Sequence, residues 1–251
     1  MIRIRLIALA LFTLGLGVLS SQAQNDDLKA VLRKAITAHG GEEKLATLHA
    51  VVSKFKGTMS LLGAKRDIEG ETSFQKPDRL RNVLKIDLAG KEITVITVYN
   101  GKQFWVNTNG ATTEINDEKT LDEVRQSLLT EGGGTFIDLL KAPYELNAVG
   151  ESKIKGKDAI GIRVSKKGQR DISYFFDKKS HLLLKTETRS YDPQKQQEVT
   201  QEKFILSYQD KQGLKVGSKV EIHKDGEFFM EVNVTDLQIH AKLDDAVFAK
   251  P

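Results

Sequence analysis

From Ile68 to Phe74 the chain alternates: Ile68, Gly70, Thr72 and Phe74 are apolar or small, while Glu69, Glu71, Ser73 and Gln75 are polar. A two-residue period predicts a strand with one wet face and one buried face. Pro77-Asp78 breaks that ladder, because proline has no N–H to donate. The alternation then restarts, with Leu80, Leu84, Ile86 and Leu88 on one side and Arg79, Arg81, Lys85 and Asp87 on the other. A turn at Leu88–Lys91 leads into Ile93–Tyr99, which is largely apolar on both faces. Asn100-Gly101 is a strong hairpin signal, since both residues tolerate positive φ. Upstream, Val51, Phe55, Met59 and Leu61 face one way and Lys54, Lys56, Thr58 and Ser60 the other. These segments predict an antiparallel meander of four or five strands.

Elsewhere the period is helical. Leu28, Val31, Leu32, Ala35 and Ile36 recur at helix spacing behind Asn25-Asp26-Asp27, predicting a helix that starts at Asp26 and ends at Gly40-Gly41. Glu42–Leu48 predicts a short second turn. Leu121, Val124, Leu128 and Leu129 form another helical stripe, which Gly132-Gly133-Gly134 interrupts before Thr135, a cap for a short helix over Phe136–Leu140. Three consecutive glycines predict a hinge, because glycine is the least restricted backbone. Strands are expected again from Thr112 to Ile115, and then around Ile160–Val164, Ile172–Phe176, Leu182–Thr188, Val199–Tyr208, Lys215–His223 and Phe228–Ile239. Roughly a dozen strands at spacings of about 8–12 residues suggest a sandwich or an open barrel. No repeat, low-complexity tract or Pro-rich linker divides them, so residues 24–251 read as one domain.

Arg3 and Arg5 precede the apolar run Leu6–Leu19, and Ser21 and Ala23 fit a signal-peptidase site. That run is short for a membrane span of about 20 residues. Residues 1–23 therefore read as a signal peptide, and the mature chain as an exported protein. Without the two arginines, 36 basic residues face 34 acidic ones. This near-balance argues against nucleic acid as a partner, which demands a clear basic excess. The chain has no cysteine, so disulfides, thiol catalysis and cysteine–metal sites are all excluded.

Candidate chemistry is sparse. His39, His49, His181, His223 and His240 are scattered without metal-ligand spacing and read as ordinary surface histidines. There is no Gly-x-Ser-x-Gly elbow, and Ser73-x-x-Lys76 and Ser152-x-x-Lys155 fall in expected strands rather than on one helical turn. The glycine run lacks the Gly-Lys-Ser/Thr of a phosphate loop. No catalytic constellation, metal or cofactor is expected, and the chain reads as a non-enzyme. What remains is apolar surface exceeding what one buried sheet face needs.

Phe74-x-Lys76-Pro77-x-Arg79-Leu80-Arg81, followed by Tyr99-Asn100-Gly101-Lys102-x-Phe104-Trp105-Val106, resembles the paired signature of the periplasmic lipoprotein carriers, the LolA/LolB-like outer-membrane lipoprotein-sorting proteins. Tyr174–Asp177 with Leu182–Lys185, and the ending Asp244–Pro251, resemble further elements of that family, as does the helix followed by Gly40–Leu45. The resemblance implies a mainly β (α+β) fold, a curved antiparallel half-open β-barrel with an N-terminal helix and a helical lid or plug. It also implies an apolar cavity for acyl chains and a periplasmic location. Carriers of this kind have an arginine, tied to lid closure, where this chain has Lys76.

Two functions follow as expectations. One is a monomeric carrier or sensor of lipid or acylated lipoprotein, working with an inner- or outer-membrane protein. The other is a protein-interaction module whose core is filled by its own side chains. For the first, alternation selects Met59, Phe74, Leu84, Ile86, Val95, Trp105 and Met230 as the concave lining, with Phe136, Leu139 and Leu140 from the insert. Gly132, Gly133 and Gly134 would then hinge the lid.

Overall fold

The computed structural model describes residues 16–88, 90–132, 136–192 and 195–251. Six strands form the expected meander: β1 (Ala50–Leu61), β2 (Ala64–Gln75), β3 (Arg79–Leu88), β4 (Lys91–Asn100), β5 (Phe104–Thr108) and β6 (Ala111–Ile115). After a helical connection come β7 (Glu145–Ile154), β8 (Lys157–Ser165), β9 (Ile172–Asp177), β10 (Leu183–Asp192), β11 (Gln197–Lys211), β12 (Leu214–Lys224) and β13 (Glu227–His240). Strand β7 shows almost no buried face, with Ile154 its one buried residue.

All thirteen strands belong to one sheet in the order β6-β5-β4-β3-β2-β1-β13-β12-β11-β10-β9-β8-β7. Every neighbouring pair is antiparallel. The two meanders are thus joined by a single long-range pairing, β1 with β13. The sheet is unclosed, and β6 and β7 are its edges. It is also strongly curved. Pro77, just beyond β2, lines one cavity with Tyr174 of β9. Six inter-strand steps separate those strands, roughly 29 Å if flat. The fold is therefore the expected half-open barrel.

The helices pack on one face. Helix α1 runs from Leu16 to Ala38, so it begins ahead of the expected Asp26 start and contains the expected cleavage point. Helix α2 spans Glu42–Ala46. Leu28, Leu32, Ala35 and Ile36 of α1 bury against Ile162, Val164, Tyr174, Phe176 and Leu214 in the main core. Leu32 and Phe176 are fully buried. No helix among the described residues is long and apolar enough to cross a membrane.

Helix α3 (Glu118–Gly132) connects one edge strand to the other, so it has to cross the open side of the barrel. Asp117 starts it, accepting from Thr120 N at 2.8 Å and Thr120 Oγ1 at 2.7 Å. These bonds hold its carboxyl below the usual value. Its apolar stripe buries Leu128 and packs Leu121 and Val124 against Tyr99 and Phe104. Leu129 leaves that stripe and stays 39% exposed. Gly132 closes the helix, while Gly133, Gly134 and Thr135 of the expected hinge and cap lie outside the described residues. The expected short helix is a 3-10 turn, Asp138–Leu140, with Phe136 ahead of it at a φ of 55°.

The opposite face carries the C-terminal tail. A 3-10 turn at Asp245–Phe248 lays Leu243 and Phe248 over Ala50, Val98 and Trp105. Gln75 Oε1 accepts from Leu243 N at 2.8 Å, and Arg79 pairs with Asp245. This cover explains why β4 is apolar on both faces: Tyr99 faces the helices, while Ile96 and Val98 face the tail.

Candidate functional site

Register decides which residues can meet. Val51 pairs with Phe74, Phe74 with Leu80, Leu80 with Tyr99 and Tyr99 with Phe104, so all five side chains share the helix-bearing face. Met59, Leu84, Ile86 and Met230 have the same parity and gather in one apolar cluster with Phe55 and Ile68, towards the far ends of their strands. Gly70 makes room there: a Cβ on it would lie 2.6 Å from the Phe55 ring and 2.2 Å from the Val83 carbonyl oxygen. Val95 pairs with Leu84 on that face.

Trp105 departs from the expectation. Side chains alternate along a strand, so once Phe104 points to the helices its neighbour must point away. Trp105 pairs with Val98 and lies under the tail, 5% exposed, with Nε1 donating to Glu114 Oε2 at 3.2 Å. It does not share a face with Phe74.

Two cavities open between the sheet and the helices. The first, of about 240 Å³, is walled by Leu45 and Leu48 beside α2, Val51 and Phe74 of the first meander, Phe136, and Ile205, Leu214 and Val216 of the second. The second, of about 210 Å³, lies between α3, the Asp138–Leu140 turn and β8–β9, with Leu128, Leu139, Val164, Ile172 and Tyr174 in its wall. Of the sequence-selected residues, Phe74 and Phe136 line the first cavity and Leu139 the second; Leu140 packs against the main core. Lys76 is common to both linings.

Phe136 is the plug between α1 and the sheet. It is 2% exposed, and its ring meets His39, Phe176 and Tyr174 edge to face at 5.0, 5.4 and 5.8 Å. His39 corrects the surface-histidine reading, being 5% exposed at the end of α1. Its Nδ1–H donates to the Ala35 carbonyl at 2.7 Å. Burial pushes the imidazole below its ordinary value of 6.5, and the Ala35 bond only partly opposes this. The neutral ring leaves Nε2 to accept from the Leu183 N–H at 3.5 Å, a weak contact; Tyr208 Oη lies 3.4 Å from Nε2 but gives its one proton to the Leu183 carbonyl at 2.6 Å. Burial likewise pushes the Tyr208 hydroxyl well up. The signal existed in the sequence: His39 continues the helical stripe of Leu28, Leu32 and Ala35.

Lys76 lies in the β2–β3 turn, its backbone N–H donating to the His49 carbonyl at 2.9 Å. Desolvation pushes its ammonium below the usual lysine value, opposed by the charge of Asp138. Among the described residues, no group of three or more His, Asp or Glu side chains is placed to hold a metal ion. The arrangement can enclose apolar matter beside a cation.

No family model and no curated protein matches the sequence. Solved structures do match in fold. A DUF1329 family protein from Desulfovibrio piger aligns with a TM-score of 0.53 at 16% identity, covering 88% of this chain and 97% of that one. A putative outer membrane lipoprotein-sorting protein domain from Vibrio parahaemolyticus gives 0.53 at 12%, over 90% and 97%. A LolA superfamily protein from Nitrosomonas europaea gives 0.52 at 10%, over 89% and 97%. Nearly the whole chain thus shares its fold with these three structures, one of them a LolA superfamily protein.

Proposed function

We propose that this protein is an exported, non-catalytic carrier or sensor that binds an acyl chain in the cavity beside α2 and His39. The observation that carries the reading is the wall of that cavity: apolar side chains from both meanders, α2 and the Phe136 plug around about 240 Å³. Each methylene transferred there from water gains about 0.8 kcal/mol. Five or six of them would give a gross gain of about 4–5 kcal/mol, before the cost of ordering the chain. The lipoprotein-sorting description of one fold neighbour supports the same class of ligand. Export and a periplasmic location remain part of the proposal, on the strength of the Arg3/Arg5 and Leu6–Leu19 segment.

A second reading, a protein-interaction module with a self-filled core, has Phe136 in its favour, since this ring already occupies the space beneath α1. Native mass spectrometry of protein purified from cells, joined to calorimetric titration with C12 amphiphiles, separates the two. The carrier reading expects a co-purified lipid and measurable binding that Val51→Trp, which fills the cavity, weakens at least tenfold. A protein that is lipid-free and binds no amphiphile would overturn it in favour of the interaction module.

A further inference from the structure

The polar groups around the acyl cavity are unequal in one respect. Its wall contains Lys76, Lys215, His39, His49 and Tyr208, and no carboxylate. Three of the five are already engaged. Lys215 pairs with Asp210 at 3.3 Å, the Tyr208 hydroxyl is committed to the Leu183 carbonyl, and His39 is neutral with its N–H spent on Ala35. His49 is exposed to water.

Lys76 is different. Its side chain is half-buried between two cavities, and no carboxylate among the described residues lies within ion-pair distance of it. The nearest acidic influence is Asp138, which is exposed and pairs with Lys141 at 3.6 Å. A half-buried ammonium without a counter-ion is costly, and a ligand anion would relieve that cost. A carboxylate brought by the ligand would form a charge-assisted bond in a partly water-free setting. An apolar wall with one cation that makes no ion pair is complementary to a tail with one negative end.

Resting on the acyl-binding reading above, we infer that the ligand is a single-chain amphiphile with an anionic headgroup, a carboxylate or a phosphate monoester, and that Lys76 holds the headgroup while the chain enters the cavity. The lysine lines both cavities, and a headgroup held by it lies at the edge of the first, which has no carboxylate in its wall, with the tail running towards Val51, Phe74 and Val216. Lysine suits this place because its single ammonium can serve either anion as a point charge.

The test uses the full exported chain and three ligands of equal tail length: laurate, dodecyl phosphate and dodecanol, titrated at pH 7 by calorimetry. Wild type should bind both acids at least tenfold tighter than dodecanol, the range that hydrogen bonds to charged groups produce. Lys76→Met and Lys76→Gln should lower both acids to the dodecanol level and leave dodecanol unchanged, whereas Lys76→Arg should keep the preference. The acid that binds wild type more tightly identifies the natural headgroup, and either result supports the inference. Equal affinities in wild type, or a preference surviving in both neutral variants, would overturn it while leaving acyl binding intact. Absence of binding by all three ligands would remove the carrier reading itself.

Discussion

Arg170, in the loop between β8 and β9, donates through its guanidinium to Glu123 of α3. The same Glu123 oxygen accepts the backbone N–H of Tyr191 at 2.8 Å, and Gln126 of α3 accepts that of Arg170 at 3.1 Å. Helix α3 packs its apolar stripe on the first meander. These bonds tie its other side to the second, so one helix clasps the two lips of an open sheet.

Glu123→Ala should therefore loosen the clasp. It removes the acceptor that the partly buried Arg170 guanidinium and Tyr191 N–H share, leaving the guanidinium a 3.4 Å contact to the Arg189 carbonyl, at a cost of about 1–3 kcal/mol. Hydrogen exchange should quicken in 118–132 and around Arg170 while the α1 core stays protected. Uniform loss of protection across the molecule would show that the clasp is part of global folding instead.

The buried His39 makes stability depend on pH. Its folded-state value is held below the ordinary 6.5 by desolvation. Below about 6.5 the unfolded chain binds a proton that the folded chain refuses, so stability falls with pH from there down to the folded value. The slope is at most about 1.4 kcal/mol per pH unit. Urea melts at pH 7.5, 6.5 and 5.5 should show wild type losing more stability than His39→Gln over the same interval. Parallel losses in the two proteins would assign the effect to other groups.

Trp105 should be silent to the ligand. It is the chain's one tryptophan and is packed beneath Leu243 and Phe248 on the face away from both cavities. Saturating laurate should leave its emission wavelength unchanged, and Trp105→Phe should bind laurate as wild type does. A blue shift on titration would mean that the ligand lies on the tail side of the sheet.

Gly70→Ala should be costly although its backbone is ordinary extended strand. The added methyl would come within 2.2 Å of the Val83 carbonyl oxygen as well as against the Phe55 ring. Trimming the ring relieves only the second contact. The variant should lose about 1–3 kcal/mol, a typical overpacking penalty, and Phe55→Ala should not restore it. Full rescue by that second change would show that β2 and β3 can part to accept the methyl.

Much of the fold was legible because its causes are local. The alternation in 68–74 and 80–88 announced β2 and β3, and the Leu28–Leu32–Ala35–Ile36 stripe announced the buried side of α1. Asn100-Gly101 marked its turn, though in another form than two residues of positive φ. Only Gly101 takes that conformation, at 92°, while Asn100 Oδ1 accepts from Lys102 N and Gln103 N at 3.0 and 2.8 Å. The same locality explains the shortfalls. Strand β7 is an edge with little to bury, so it carries little alternation, and His39 is hidden by a residue type usually found outside.

The sequence by itself determined the elements, their antiparallel hairpins and the unusual apolarity of β4, because periods of 2 and 3.6 residues follow from backbone geometry alone. Only the tertiary structure decided which side of each strand looks inward. Ile93–Tyr99 is apolar on both sides, and only a tail some 140 residues further along the chain, at Leu243–Phe248, makes one of them the outside. The β1–β13 pairing, the curvature that brings Pro77 to Tyr174, and the place of Lys76 between two cavities were decided in the same way. Each depends on contacts between residues far apart in sequence, whose free energy no local pattern contains.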